Sequence, residues 1–152
     1  MKTFYDYETI IGKIFIEADD NFLTQISFRK LSGKRLETPV IKETITQLEE
    51  YFIKKRKTFD LPLKLEGTDF QKSVWNALLT IPYGKTATYK DIAKLIGNEK
   101  SSRAVGMANN KNKLPIIIPC HRVIGANGNL TGYAGGLEIK QKLLNLEKSA
   151  LV

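Results

Sequence analysis

Cys120 and His121 stand side by side in the run Ile116-Ile117-Ile118-Pro119-Cys120-His121-Arg122-Val123-Ile124, and each is the only residue of its kind in the 152-residue chain. One thiol beside one imidazole is the minimal set for a nucleophile with its base. A free thiol is weakly nucleophilic near neutrality, and a neighbouring base or cation raises its thiolate fraction. The same pair would also suit a small buried hydrophobe next to a polar neighbour, because surroundings and not identity set thiol reactivity. The apolar run ahead of the pair is strand-like, and successive side chains of an extended strand face opposite ways. The two groups therefore need either a turn at this point or a bridging water to communicate.

The elements that must position this pair can be read outward from it. Ahead of it, Thr88 caps a helix running from Tyr89 to Ile96, with Asp91 at the capping-box position and Gly97 as terminator. Ser101 or Ser102 caps a second short helix through about Asn109, and the two together have the outline of a helix-turn-helix. The second helix carries Ala104, Gly106 and Ala108 and few long polar side chains. That surface suits close approach to a backbone or a narrow groove better than hydrogen-bonded reading of base edges. Arg103 near its start suits a phosphate or the base stack. After the pair, Asn127-Gly128 between short extended pieces reads as a hairpin, a wing beside the helix-turn-helix. Glycines around Tyr133 permit tight backbone approach, and a final helix carries Leu137, Leu143, Leu144, Leu146 and Glu147.

Further upstream, Gly67-Thr68-Asp69 opens a helix with Phe70, Val74 and Leu78 on one stripe, ending before Ile81-Pro82-Tyr83-Gly84. The first 28 residues read as an antiparallel meander with strands at 2–7, 13–18 and 22–28. Thr38-Pro39 then starts a helix with Ile41, Ile45, Leu48 and Phe52 at helical spacing, and Phe59 to Leu65 reads as extended. The boundary falls near Lys64 to Gly67, giving residues 1–65 as an N-terminal domain and 66–152 as a second one that holds the Cys-His pair.

Composition narrows the function classes. With 42% apolar and 26% charged residues the chain reads as folded and soluble. No apolar run reaches the roughly 18 residues of a membrane span, and the N-terminus lacks a signal-peptide pattern, so a cytoplasmic protein with no membrane partner is expected. One cysteine excludes an internal disulfide, and one Cys with one His does not make a four-ligand zinc site. Neither metal nor soluble cofactor is expected. The formal charge is +8, from 24 Lys and Arg against 16 Asp and Glu. Residues 64–152 carry 13 basic and 6 acidic side chains, whereas residues 1–63 carry 11 and 10. No acid lies between Glu99 and Glu138, while Lys100, Arg103, Lys111, Lys113 and Arg122 all do. An acid-free basic window around the thiol points to a polyanion, with nucleic acid the commonest.

Taken in order, these residues resemble the O6-alkylguanine-DNA alkyltransferases, also called methylated-DNA-protein-cysteine methyltransferases. Pro119-Cys120-His121-Arg122-Val123 matches that family's active-site motif. The match continues through Phe70-Gln71, Val74-Trp75, Ile81-Pro82-Tyr83-Gly84, Thr88-Tyr89, Arg103-Ala104-Val105-Gly106, Asn112, Gly132-Tyr133-Ala134-Gly135-Gly136, Lys140, Leu143-Leu144 and Glu147. It covers about residues 68–148, and the N-terminal part matches in size and element order only.

The resemblance implies an α+β protein: a small ribonuclease-H-like sheet-and-helix domain, then a winged-helix domain that binds the minor groove of double-stranded DNA and flips out the alkylated guanine. It implies Cys120 as alkyl acceptor, His121 as base through a water, Glu147 as the partner orienting His121, Asn112 as brace of the active-site turn and Tyr89 as donor to the base. Tyr133, Ala134, Val123 and Arg122 would line the substrate and Arg103 would fill the gap it leaves. Lys100, Ser102, Ala104, Gly106 and Ala108 would lie along the DNA. Some relatives have Ser in place of Ala134, leaving only a backbone N–H here, and others hold an N-terminal zinc for which this chain has no ligands.

The chemistry needs these residue types. Displacement at the alkyl carbon calls for a soft nucleophile, and expulsion of the guanine oxygen is eased by a donor such as a tyrosine hydroxyl. The thioether product lacks the exchange chemistry of a disulfide, so each molecule of a monomeric, cofactor-free protein should act once, on O6-alkylguanine, with O4-alkylthymine as a second candidate substrate. A noncatalytic lesion binder on the same fold is the main alternative, but such relatives replace the acceptor cysteine. A cysteine hydrolase fits neither the adjacency of Cys and His nor the basic helix pair.

Overall fold

The computed structural model describes residues 1–149, and the chain divides into two compact units, Met1–Leu65 and Glu66–Val152. The expected 66–152 domain thus runs past the described residues at 150–152.

In the first unit, strands β1 (Lys2–Thr9), β2 (Gly12–Asp19) and β3 (Phe22–Ser27) form an antiparallel meander. A two-residue strand β4 (Lys34–Arg35), which the sequence leaves as loop, adds in parallel to β1 and gives the order β3-β2-β1-β4. Ile14, Ile16 and Ala18 alternate into the core on β2, as period-two patterning requires. They meet helix α1 (Pro39–Phe52), whose buried face is Ile41, Thr44, Leu48, Tyr51 and Phe52. The stripe is rotated from the expected one: Thr44 is fully buried and Ile45 only half-buried. Thr44 tolerates this because its hydroxyl donates to the Val40 carbonyl at 2.8 Å. The extended 59–65 segment is held at both ends. Gln47 exchanges two 2.9 Å hydrogen bonds with the backbone of Asp60, and Leu23 bonds to Pro62 and Lys64.

The second unit builds the helix-turn-helix from α2 (Asp69–Leu78), α3 (Tyr89–Leu95) and α4 (Ser102–Asn110). Two complete capping boxes, Thr68 with Gln71 and Thr88 with Asp91, start α2 and α3, and Gly97 ends α3 with φ of 77°, a left-handed conformation that suits glycine. Ser101 occupies the cap position of α4 without capping it, since its hydroxyl donates instead to the Asn98 carbonyl. Trp75 ties α2 to α4, its indole N–H donating to the Ala108 carbonyl at 2.8 Å.

Two expectations fail here for backbone reasons. The apolar run Ile116–Ile118 is not a strand. Pro115 and Pro119 lack N–H donors, and the chain passes through turns closed by Ile118 N–H to the Leu114 carbonyl and Cys120 N–H to the Ile118 carbonyl. The wing also differs. The turn at Gly125–Asn129 forms, but β6 (Val123–Ile124) pairs in parallel with β5 (Ala87–Thr88) rather than with the segment after the turn. Helix α5 (Leu137–Ser149) completes the unit. No helix among the described residues is long and apolar enough to cross a membrane.

Gly67 lies against the Trp75 ring: a Cβ there would sit 2.6 Å from the indole and 2.7 Å from the Gln71 oxygen that closes the capping box. Gly67→Ala should therefore lower unfolding free energy by about 1–3 kcal/mol, measured by urea denaturation; unchanged stability would show that the ring and cap yield freely.

Candidate active site

Of the two ways for Cys120 and His121 to communicate, a turn or a bridging water, the backbone supplies a turn. Pro119, with φ of −77° and ψ of 63°, makes an inverse γ-turn, and Cys120–Arg122 follow as a single 3-10 turn. Asn112 braces it from below. Its side-chain N–H donates to the Ile118 carbonyl and its oxygen accepts from Leu114 N–H, both at 2.9 Å. Ile116 is held at φ of 74°, strained for a β-branched residue. The loop thus spends conformational energy to present Cys120, which is 4% exposed.

Behind the turn lies one carboxylate. Glu147 of α5 accepts from His121 Nε2 at 2.6 Å, from Arg122 Nε at 2.8 Å and Nη2 at 3.1 Å, and from the Gly84 amide at 3.2 Å. Arg122 also donates to the Ile81 carbonyl at 2.7 Å and lies over the Tyr83 ring. Burial pushes the Glu147 carboxyl up, but hydrogen bonds from His121 and Arg122 outweigh it and hold the group well below the ordinary range. The fork from Arg122 is enough to keep it ionised. Burial pulls His121 below its usual 6.5, against the raising effect of Glu147 and with help from the Arg122 and Lys140 charges. A neutral imidazole beside an ionised carboxylate must carry its proton on Nε2, because the carboxylate can only accept. Nδ1 is then a bare lone pair, buried and without a hydrogen-bond partner.

The thiol is not pre-ionised. Burial pushes Cys120 up to about 11, opposed by hydrogen bonding from Asn112 and by the Lys140 charge. At pH 7 the group therefore rests as a thiol, not as the activated thiolate anticipated from sequence. Lys140, matched in the resemblance but given no role, is a fully buried lysine whose ammonium donates to the carbonyls of Val123 at 2.6 Å and Thr131 at 2.9 Å. Burial also lowers its own pKa, partly offset by Cys120. Thr131 in turn shares a hydrogen bond with the Tyr89 hydroxyl. The Tyr133 hydroxyl is raised well above its usual value, by burial first and then by the charges of Cys120 and Glu147.

The expected residues thus divide. Cys120, His121, Glu147, Asn112 and Tyr133 are tied into one centre, and Tyr89 reaches the strap at Thr131. Ala134, Arg103, Ala104 and Lys100 are exposed, while Ser102 and Gly106 are half-buried. Two assignments need correction. Arg122 is not an open substrate contact: its guanidinium is buried and engaged with Glu147 and Ile81, so it acts on the carboxylate. Ala108 does not lie along an outer face; it is 2% exposed, because with Val105 and Asn109 it forms the inward side of α4. Val123 is likewise fully buried, its carbonyl taken by Lys140. The Gly84 N–H and the Ile81 carbonyl also serve this centre, backbone groups that no side-chain pattern marks although both lie in the Ile81-Pro82-Tyr83-Gly84 match. A groove of ≈ 450 Å³ beside α5 is lined by Leu144, Asn145, Glu147 and Lys148 and not by Cys120. Among the described residues no group of three or more His, Cys, Asp or Glu could hold a metal ion.

A helix-turn-helix unit carrying a buried cysteine on a histidine-carboxylate pair defines a small class of DNA-directed proteins, and comparison with known proteins places the chain within it. Residues 69–149 match the family model of the 6-O-methylguanine DNA methyltransferase DNA binding domain, and residues 2–65 match that of its ribonuclease-like domain. The chain is 54% identical over 151 residues to the methylated-DNA--protein-cysteine methyltransferase of Methanosarcina acetivorans, with 94% of this chain and 96% of that protein covered. A crystal structure of a variant of the Mycobacterium tuberculosis O6-methylguanine methyltransferase superposes with a TM-score of 0.91 at 41% identity, over 99% of this chain and 94% of that one. The M. tuberculosis OGT in complex with DNA gives 0.89 at 42%, over 97% and 94%. The chain belongs to the 6-O-methylguanine DNA methyltransferase family.

The lowered His121 pKa sets a pH dependence. The base form is present throughout neutral pH and is lost only as pH falls through a value below 6.5, while Glu147 stays ionised over the same range. Alkyl-transfer rate should be flat from pH 8 to about 6.5 and then fall on acidification. A single-turnover rate that rises between pH 6.5 and 5.5, with the fold intact by circular dichroism, would remove His121 as base.

Proposed function

We propose that this protein repairs double-stranded DNA by moving the alkyl group from O6 of an alkylated guanine to Sγ of Cys120. The base is rotated out of the stack from the minor groove, a step made easier by its weakened pairing. The new bond is sulfur to alkyl carbon and the broken one alkyl carbon to O6. The thiol proton passes to His121 Nδ1 through a water while the Nε2 proton stays on the ring, hydrogen-bonded to Glu147. The departing guanine takes a proton from the Tyr89 hydroxyl, and the proton gained by His121 returns by way of water to restore the tyrosine.

The unpartnered, buried Nδ1 of a neutral His121 carries this reading. A thiol with its pKa near 11 cannot rely on a resting thiolate, so a base must accept its proton during the reaction, and Nδ1 is the lone pair in this centre left without a donor. The product thioether has no second thiol to resolve it, so one molecule acts once, as a monomer. The exposed cations Lys100, Arg103, Lys111 and Lys113 supply sequence-tolerant attraction to phosphate that weakens as salt rises.

Incubation with a duplex containing O6-methylguanine should restore guanine and add one methyl mass to the peptide containing Cys120, read by intact-mass and peptide spectrometry. Cys120→Ala should abolish both; repair by that variant at the parent rate would disprove the nucleophile. Arg103→Ala should slow repair of duplex about tenfold or more while leaving the reaction with free O6-benzylguanine nearly unchanged, as loss of a residue that holds the flipped state requires. Equal losses on the two substrates would deny Arg103 that part.

A further inference from the structure

The outward face of α4 carries one large side chain that the repair reading does not use. Arg103, Ala104, Met107 and Asn110 are exposed along it, while Val105, Ala108 and Asn109 turn inward. At 3.6 residues per turn, Met107 sits roughly 40° around from Arg103 and about 6 Å further along the axis, with Ala104 on its other side. Met107 is 65% exposed. A thioether standing in water at the centre of a face otherwise made of small and cationic residues is poorly placed for a free protein and well placed for a contact. The surrounding charge says with what: Lys100, Arg103, Lys111 and Lys113 are exposed, and no acid occurs from residue 100 to 137, a field that draws a polyanion.

We propose that Met107 presses on the floor of the DNA minor groove beside the flipped nucleotide and disfavours a G·C pair there. The inference rests on the repair reading and adds a sequence preference to it. In the minor groove an A·T pair shows only acceptors, whereas a G·C pair adds the guanine N2 amine as a donor. A methionine excludes water from that amine and returns only a weak sulfur acceptor, leaving a buried donor unsatisfied. Over A·T the same methyl and sulfur meet no stranded donor, and an apolar side chain there can also loosen the stack, as wedge residues of minor-groove binders do. The axial offset of about 6 Å from Arg103 places the affected pair within about two base steps of the flipped nucleotide.

The test compares single-turnover repair of O6-methylguanine duplexes whose pairs within two steps of the lesion are A·T or G·C, for the parent, Met107→Ala and Met107→Gln. Free O6-benzylguanine serves as the substrate without DNA. The parent is expected to repair the A·T-flanked duplex at least about threefold faster. Met107→Ala should bring the ratio to near one, and Met107→Gln, whose amide oxygen can accept from the guanine amine, to one or below. All three proteins should react alike with the free base. A preference that survives Met107→Ala, or none in the parent, overturns the inference while the repair reading stands. A parent that takes alkyl from neither DNA nor free base overturns that reading, and the inference falls with it.

Discussion

A carboxylate buried in protein is expensive unless its charge is met, and Glu147 is met on every side. Two N–H groups of Arg122, one of His121 and the backbone amide of Gly84 converge on its two oxygens. These donors come from the active-site turn and from the loop after α2, and the carboxylate itself from α5. The arrangement therefore closes the C-terminal unit around one charge while fixing the tautomer of its histidine. Without Arg122, a buried imidazole and a buried carboxyl would be free to share a proton. With it, the carboxyl stays ionised and the basic lone pair appears at Nδ1.

The same burial explains why the thiol rests protonated. Cys120 lies on a turn shaped by Pro119, braced by Asn112 and reached through strain at Ile116. Low exposure protects the only thiol of the chain from adventitious oxidants, which act on exposed thiolates, and it transfers the burden of activation to the moment when substrate is present. Lys140 contributes on both counts. Its ammonium straps Val123 to Thr131 and places a positive charge near the sulfur.

What the sequence disclosed was what short-range physics determines. The start of α2 at Thr68-Asp69, the capping box of α3, the terminator Gly97 and the alternation on β2 follow from residues within a few positions of one another, and each formed. The adjacency of Cys120 and His121 called for a turn or a bridging water, and the chain does turn there. What stayed hidden depends on partners far along the chain. Arg122 reads as a surface cation until Glu147 and the Ile81 carbonyl are seen around it, and Lys140 reads as solvated until it is found with no exposure. The run Ile116–Ile118 has the composition of a strand, yet two prolines and the side chain of Asn112 take over its backbone pairing. The wing strand failed similarly, because β6 found its partner in β5, which lies before α3, α4 and the active-site turn in the chain. Ala108 was assigned outward from its small size, when the helical phase of its neighbours decides the matter.

The amide of Gly84 has a use beyond holding a side chain in place. It belongs to the backbone, carries no function of its own, and donates directly to the oxygen on which the centre's charge resides. The chemical shift of an amide proton follows the charge of its acceptor, so the Gly84 resonance is a spectroscopic probe already wired to the carboxylate. Proton movement at the buried centre becomes observable in solution, in the unmodified protein, by watching one glycine signal.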